Sequence, residues 1–449
     1  MPCFFHAKAR NRKENRRTEG GFETHPCILV SYPICVFAVK KMRHQELLPH
    51  LFRTEFRKIT AVLCKHLGIE HMETAEDIVS DTFLLAVETW SFKGIPEHPT
   101  AWLYTVAKNK ARNYKVREQI FTEKIADQLK GTHDKFHETE IDLSEKNITD
   151  SQLQMLFALC HPAIPTEAQI GLSLRILCGF GIDEIANAFL TNKETINKRL
   201  FRAKEKLRLE KVPIEFPSPS EIPKRLETVL TTLYLLFSEG YYSESQEAIL
   251  REDLCQEAMR LTYLLLEQEQ TNLPNVNALF SLMCFHASRF DARKNASGEI
   301  VLYEAQDEAL WNSELIAKGA YHLHQASQGS TLSKYHIEAS IAFWHTNKAD
   351  TKEKWETILH LYNQLLMMEY SPIAALNRTF ALSKAIGKKE AITEALKLDL
   401  PNNPFYFTLL GELYWDIDKA KAKENFQKAF LLAGTKTDRQ TIQKKIDRL

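Results

Sequence analysis

The short motifs that mark most enzymes are missing from this 449-residue sequence: it has no GxGxxG, no P-loop, no HExxH and no GxSxG. A dinucleotide cradle, a phosphate loop, a zincin helix and a hydrolase nucleophile elbow are therefore not suggested. Cysteine pairs are missing as well. The eight cysteines (Cys3, Cys27, Cys35, Cys64, Cys160, Cys178, Cys255 and Cys284) never fall into CxxC, which argues against a zinc ribbon or a dithiol redox motif and fits a reducing cytoplasm. Long apolar runs are also scarce. The longest, CILVSYPICVFAV at 27–39, is broken by Pro33 and followed by Lys40 and Lys41. It is shorter than the ~20 residues a spanning helix needs and has no small-residue cleavage site, so neither a membrane span nor a secretory signal is expected. Net charge is absent too, with 58 basic and 58 acidic side chains. That zero is a sum of unequal parts: residues 1–41 carry eight basic and three acidic groups, 42–219 carry 24 and 25, and 220–449 carry 26 and 30. Any basic surface must be local.

What is present is helix. From about residue 46 onward apolar residues recur at spacings of three and four, the period of an amphipathic helix. GEIVLY at 298–303 is the one candidate for a short strand. The expected fold class is all-α. Residues 1–41 show no period, cap or turn logic, whereas MRHQELLPHLFRTEFRKI is helical from Met42; translation is expected to start at or near Met42. The polar stretch 130–147 lacks a core stripe and reads as a linker or a loosely docked helix. The segment VPIEFPSPSEIP at 212–223 holds four prolines in twelve residues and cannot be helix interior. Domains are expected at 46–120, 150–211 and 224–449, with linkers at 121–149 and 212–223.

The most informative stretch is GIDEIANAFLTNKETINKRLFRAKEKL, Gly181 to Leu207. Ile185, Ala186 and Phe189 give one apolar face, and Ile196, Leu200, Ala203 and Leu207 give a second, so the two helices can share a core. Thr191 to Glu194 fits a capping box, which starts a new helix at about 192. Gly179 and Gly181 end the helix before, and the block 150–211 reads as four helices closing in a helix-turn-helix. Its last helix is strongly basic, with eight Lys/Arg against three Glu in 193–211. That density is the footprint of phosphate contact. In the usual docking the first turn meets base edges and later cations hold phosphates. Lys193, Glu194, Thr195, Asn197 and Lys198 are then the expected readers, and Arg199, Arg202 and Lys206 the positioners.

A second basic helix, PTAWLYTVAKNKARNYKVRE at 99–118, sets Trp102, Leu103, Val106 and Ala107 inward and carries Lys108, Lys110, Arg112, Lys115 and Arg117 beyond them. Asn109 and Asn113 lie four apart on one face; amides beside Arg suit base edges, and a plain polar surface is the other reading. Upstream, residues 70–88 hold six carboxylates and no Lys or Arg. Glu73, Asp77 and Asp81 follow at i,i+4 and repel by a few tenths of a kcal/mol per pair, which a basic partner surface relieves; an acidic solvated face is the alternative.

This order of an acidic helix, the short loop KGIPEHP, a basic helix, a polar linker and a helix-turn-helix resembles the group IV, extracytoplasmic-function (ECF) sigma factors of bacterial RNA polymerase, over 46–211. The following LYLLFSEGYYSES, DLCQEAMRLTYLL, GEIVLYEAQDEALWN, YHIEASIAFWH and SPIAALNRTFAL look like the long tetratricopeptide-like C-terminal extension of one sigma subgroup. The resemblance implies a sigma-2 domain over 46–120, a sigma-4 domain over 150–211, and a non-catalytic, cytoplasmic initiation factor without a cofactor. By position, Glu73, Asp77 and Asp81 would dock on core RNA polymerase, and the loop from Phe92 to Pro99 would hold an unstacked base. Lys108, Asn109, Arg112 and Asn113 would contact the minus-10 element of promoter DNA, and the 193–206 readers and positioners the minus-35 element. Trp102 is expected to be core. A helix-turn-helix regulator that acts without polymerase and a tetratricopeptide scaffold are the rival readings.

In the C-terminal half, Phe407, Leu410, Gly411 and Tyr414 match the first helix of a tetratricopeptide repeat, and Ala422, Phe426 and Ala429 the second. Trp355, Ile358 and Tyr362 repeat only the first-helix pattern. Such stacks usually bind a peptide or protein ligand or cover another domain. Other chemistry is weak. His133 and His137, and the adjacent Cys160 and His161, lack further ligands at zinc-like intervals, so no metal is expected. Glu304, Gln306, Asp307 and Trp311 form a polar cluster that reads as a structural network.

Overall fold

The computed structural model describes residues 44–129, 141–189, 191–242, 252–293, 301, 303–434 and 436–449. The 1–41 segment and the His133/His137 pair lie outside the described residues. Among those residues every regular element is helical, so the chain is all-α. Most of GEIVLY lies outside the described residues; its last residue, Tyr303, opens a 3₁₀ turn, Tyr303–Ala305. The chain divides into two compact units, Ala7–Gln152 and a larger one that contains Leu153–Leu449.

The first unit is built on α1 (His44–Leu67), α2 (Met72–Lys93) and α3 (Pro99–Leu129). Each turns a stripe inward: Leu47, Leu51, Ile59, Val62 and Leu63 from α1, Ala75, Ile78, Val79, Phe83 and Ala86 from α2, and Leu103, Ala107 and Ala111 from α3. Burial of each large aliphatic residue is worth about 1.5–3 kcal/mol. Ala107 and Ala111, one turn apart on α3, are small enough to let the helices approach closely. One carboxylate, Glu55, is buried here and is matched by the Tyr104 hydroxyl at 2.6 Å and Lys58 Nζ at 3.0 Å. Trp90 is buried and meets the half-buried Trp102 edge-on at 5.4 Å. The expected 121–149 linker is helical at both edges, since α3 runs to Leu129 and α4 (Glu145–Leu159) begins at 145. Lys65 Nζ donates to Asn147 Oδ1 at 3.2 Å and ties the first turn of α4 to α1.

The second unit continues through α5 (Thr166–Ile176), α6 (Ile182–Ala188) and α7 (Lys193–Leu209). No helix forms from 210 to 221. Then follow α8 (Ile222–Tyr242), α9 (Glu252–Glu267), α10 (Pro274–Ala287), α11 (Ser313–Ala326), α12 (Lys334–Trp344), α13 (Lys352–Met368) and α14 (Pro372–Ala385). Last come α15 (Lys388–Ala395), α16 (Pro404–Tyr414), α17 (Lys419–Leu432) and α18 (Lys436–Ile446). The Pro-rich segment is packed rather than free: Phe216 meets Phe157 of α4 at 5.1 Å, and α8 lies against α5. Both sides of it therefore belong to one unit. Val276 to Ala287 of α10 are buried without interruption, as expected of a helix surrounded by others.

Tight helix pairs carry the rest. On α13, Trp355, Ile358 and Tyr362 pack against Ala374, Ala381 and Ala385 of α14. On α16, a Cβ added to Gly411 would come within 2.6 Å of the Phe426 ring of α17, and Ala422, Phe426 and Ala429 are fully buried. Gly411→Ala is expected to cost about 1–3 kcal/mol by overpacking, read as a lower urea midpoint; an unchanged midpoint would show that Phe426 moves freely.

Candidate nucleic-acid interface

The helix-turn-helix is set by three local devices. Gly179 takes φ 69°, a left-handed conformation that glycine tolerates, and so stops α5. The Gly181 N–H donates to Glu184 Oε2 at 2.6 Å, which starts α6. Asn192 caps α7, its Oδ1 accepting from Thr195 N at 2.8 Å. The cap is thus Asn192 and not the expected Thr191, because the Thr191 N–H is already bound to the Ala186 carbonyl at 2.9 Å and closes α6. Ile185, Ala186, Ile196, Leu200, Ala203 and Leu207 are all buried, and Phe189 stands at the end of the short first helix, beside Arg199.

With that stripe inward, Lys193, Glu194, Thr195, Asn197, Lys198, Arg202 and Lys206 are exposed on α7, and Arg199 is half-buried. The Arg199 guanidinium lies 5.6 Å from the Phe189 ring centroid, a cation–π contact that holds it at the helix surface. Lys193 pairs with Asp183 of α6 at 2.6 Å and Lys206 with Glu210 at 2.6 Å. Both pairs are solvent-exposed and worth at most about 1 kcal/mol, so phosphates can displace them. Sequence reasoning missed Phe201, which is 64% exposed on this helix; its signal is an aromatic residue off the 196/200/203/207 stripe.

On α3, Asn109, Arg112 and Asn113 are exposed and Lys108 is half-buried beside them. Their spacing, two adjacent pairs one turn apart, collects these four on one face. The Asp142 carboxylate lies near Lys108 and Lys65; it is held below its ordinary pKa first by the Ser144 N–H and hydroxyl, and then by these lysines. On α2, Glu73, Asp77 and Asp81 are exposed in line, and the line continues through Leu84, 61% exposed, to Glu88. Leu84 and Val87, apolar residues outside the buried stripe, are a second signal that sequence reasoning missed. Asp81 is not wholly free: Lys110 Nζ of α3 sits 3.4 Å from its Oδ2. In the last turn of α2, where the loop to α3 begins, Phe92 is 91% exposed, two residues before Gly94 ends the helix. Trp102 is half-buried, and Leu103 and Ala107 carry the inward stripe.

The other clusters are structural. Cys160 is buried, which pushes its thiol up to about 12, and His161 Nδ1 accepts from Ala163 N at 3.2 Å. Asp307 Oδ1 accepts from Ala309 N, Gln306 Nε2 donates to the Val301 carbonyl, and Lys348 Nζ reaches the carbonyls of Glu304 and Gln306. No group of three or more His, Cys, Asp or Glu side chains that could hold a metal ion occurs among the described residues.

Comparison with known proteins decides the family. Residues 51–120, from within α1 to the body of α3, match Sigma-70 region 2. The chain is 30% identical over 138 residues to the ECF RNA polymerase sigma-E factor of Haemophilus influenzae, covering 29% of this chain and 70% of that one. This chain belongs to the sigma factors. Transcription initiation, without catalysis of its own, is the function of the family. The sigma factor also contains, at 225–327, a match to a family of unknown function, DUF6596. It is 32% identical over 386 residues to the uncharacterized protein R00370 of Rhizobium meliloti, covering 84% of this chain and 90% of the relative. No solved structure matches the sigma factor. Among the described residues no helix is long and apolar enough to cross a membrane.

Proposed function

We propose that this sigma factor is of the ECF type, in a subgroup whose tetratricopeptide-like C-terminal domain regulates or stabilises its activity, and that it works in the cytoplasm. The observation that carries the reading is the pairing of a Sigma-70 region 2 match over α1–α3 with a basic helix-turn-helix on α6–α7. The proposed roles follow the faces. Glu73, Asp77 and Asp81 dock on core RNA polymerase. Lys108, Asn109, Arg112 and Asn113 contact the minus-10 element, with Phe92 placed to stack on an unpaired base. Lys193, Glu194, Thr195, Asn197 and Lys198 read the minus-35 element, while Arg199, Arg202 and Lys206 hold its phosphates. The α13–α14 and α16–α17 pairs belong to the C-terminal domain, which is proposed to take a peptide or protein ligand.

The test is run-off transcription with core polymerase, genomic promoter fragments and the whole chain. A version ending at 219 is unsuitable, because it removes α8 from the surface of α5. Transcripts that depend on the added protein support the reading; failure to bind core polymerase overturns it. Arg199→Ala with Arg202→Ala is expected to weaken promoter binding about tenfold and to make its salt dependence shallower by about 1–2 in the log–log slope. Unchanged binding in that variant would remove α7 as the DNA helix.

A further inference from the structure

We propose that the outer face of the α17–α18 pair is a second, sequence-independent contact for nucleic-acid backbone. The charge contrast is large. Residues 418–449 carry nine Lys/Arg against four Asp/Glu, whereas 220–417 carry 17 against 26. The excess over 418–449 equals that of the 193–211 segment, yet it lies in the half of the chain that is otherwise acidic.

The packing turns these charges outward. Ala422, Phe426 and Ala429 of α17 and Ile442 of α18 are buried in one cluster, while Lys421, Lys423, Lys428, Lys444 and Arg448 are exposed. Lys421 lies 3.8 Å from Asp418, Lys428 pairs with Glu424 at 2.8 Å, and Lys445 pairs with Glu412 of α16. These pairs use up local carboxylates. Lys423, Lys444 and Arg448 are exposed and have no carboxylate within ion-pair distance among the described residues. Lys423 lies on α17, Lys444 on α18 and Arg448 just past its end. Lys419 Nζ donates to the Leu449 carbonyl at 3.4 Å, which brings the start of α17 beside the end of α18, so these three cations are open to an external anion.

The face fits phosphate better than protein. Specific protein interfaces favour aromatic residues and are poor in lysine, whereas this face is mainly Lys, Arg and Gln, with Leu431 its most exposed apolar residue. Of its amides, Asn425 is buried and donates to the Lys421 carbonyl at 2.8 Å, and Gln443 donates to Asp447 at 2.7 Å, which leaves the cations to contact phosphate. Contacts of this kind add affinity and orientation without sequence information. The proposal rests on the promoter-binding reading only in supplying DNA as the polymer.

The experiment is fluorescence anisotropy of the whole chain on a promoter duplex and on a scrambled duplex, titrated with salt. Three proteins are compared: the parent, Arg199→Ala/Arg202→Ala, and Lys423→Gln/Lys444→Gln/Arg448→Gln. Removing one phosphate contact lowers the log–log salt slope by about 0.9, so the triple variant is expected to be shallower by about 2–3 on both duplexes, with promoter preference unchanged. A parental slope in the triple variant, with a flattened one in the Arg199/Arg202 variant, overturns this inference alone. Parental slopes in both overturn it together with the α7 assignment. An unchanged slope with weaker binding to core polymerase would assign the face to an acidic protein and also overturn it.

Discussion

Asp77→Lys with Asp81→Lys is expected to lower affinity for core RNA polymerase by about 100-fold, with the Tm of the sigma factor unchanged. The two halves of this expectation come from opposite faces of α2. Its buried face, Ala75, Ile78, Val79, Thr82, Phe83 and Ala86, contains neither residue. Within the helix, Glu73, Asp77 and Asp81 repel one another; in the double variant a lysine at 77 is attracted to Glu73 while lysines at 77 and 81 still repel each other, so the local change stays within a few tenths of a kcal/mol. The double substitution breaks one native ion pair, Lys110–Asp81, in which Asp81 is 64% exposed; such pairs contribute less than about 1 kcal/mol. Docking is different. Close charge pairs across an interface couple by about 1.5–7 kcal/mol, so reversing two of them costs at least about 3 kcal/mol, or two decades in affinity. The measurement is competition for core polymerase, checked by thermal melting. Full affinity in a folded double variant would remove the proposed docking face.

Much of this is legible in the residues, and the failures share a cause. The stripe Ile196, Leu200, Ala203 and Leu207 can be read because helical period is local, and all four are buried. The sequence puts the cap one residue early because Thr191 and Asn192 are both good caps. The Thr191 N–H decides between them by closing α6 on Ala186, a contact that depends on where the previous helix stops. The Pro-rich 212–223 segment reads as a linker because four prolines keep it out of helix interior, but composition says nothing about Phe216 settling on Phe157, or about Ile222 and Pro223 opening α8. The acidic line on α2 is visible in sequence, whereas its partial neutralisation by Lys110 requires the orientation of α3. Local rules find the faces; pairing between elements decides which side chains on them are free.

The second large effect is a stability that falls as pH rises. Glu338 of α12 is 5% exposed, and its Oε2 has no hydrogen-bond partner among the described residues. Lys334, one turn before it, does not serve as its counterion, because its Nζ lies 3.0 Å from Glu369 Oε2 and over the Tyr234 ring. Burial is the largest influence and pushes the Glu338 carboxyl up to about 8; Lys334 and a hydrogen bond from Tyr234 oppose the rise, and the Glu369 charge adds to it. An unfolded glutamate titrates near 4.3. Between these values the native chain keeps a proton that the unfolded chain has released, so stability declines from about pH 4.5 to about pH 8 and stays low above it. Each pH unit between the two values is worth about 1.4 kcal/mol, so the decline from this one group is several kcal/mol. Glu338→Gln removes the titration while keeping the shape. The variant is expected to match the parent in urea unfolding near pH 5 and to exceed it by about 3 kcal/mol near pH 8. An offset that does not change with pH would mean that Glu338 is already ionised in the native state. Ionisation of the buried acid then weakens the packing of α12, and protonation restores it.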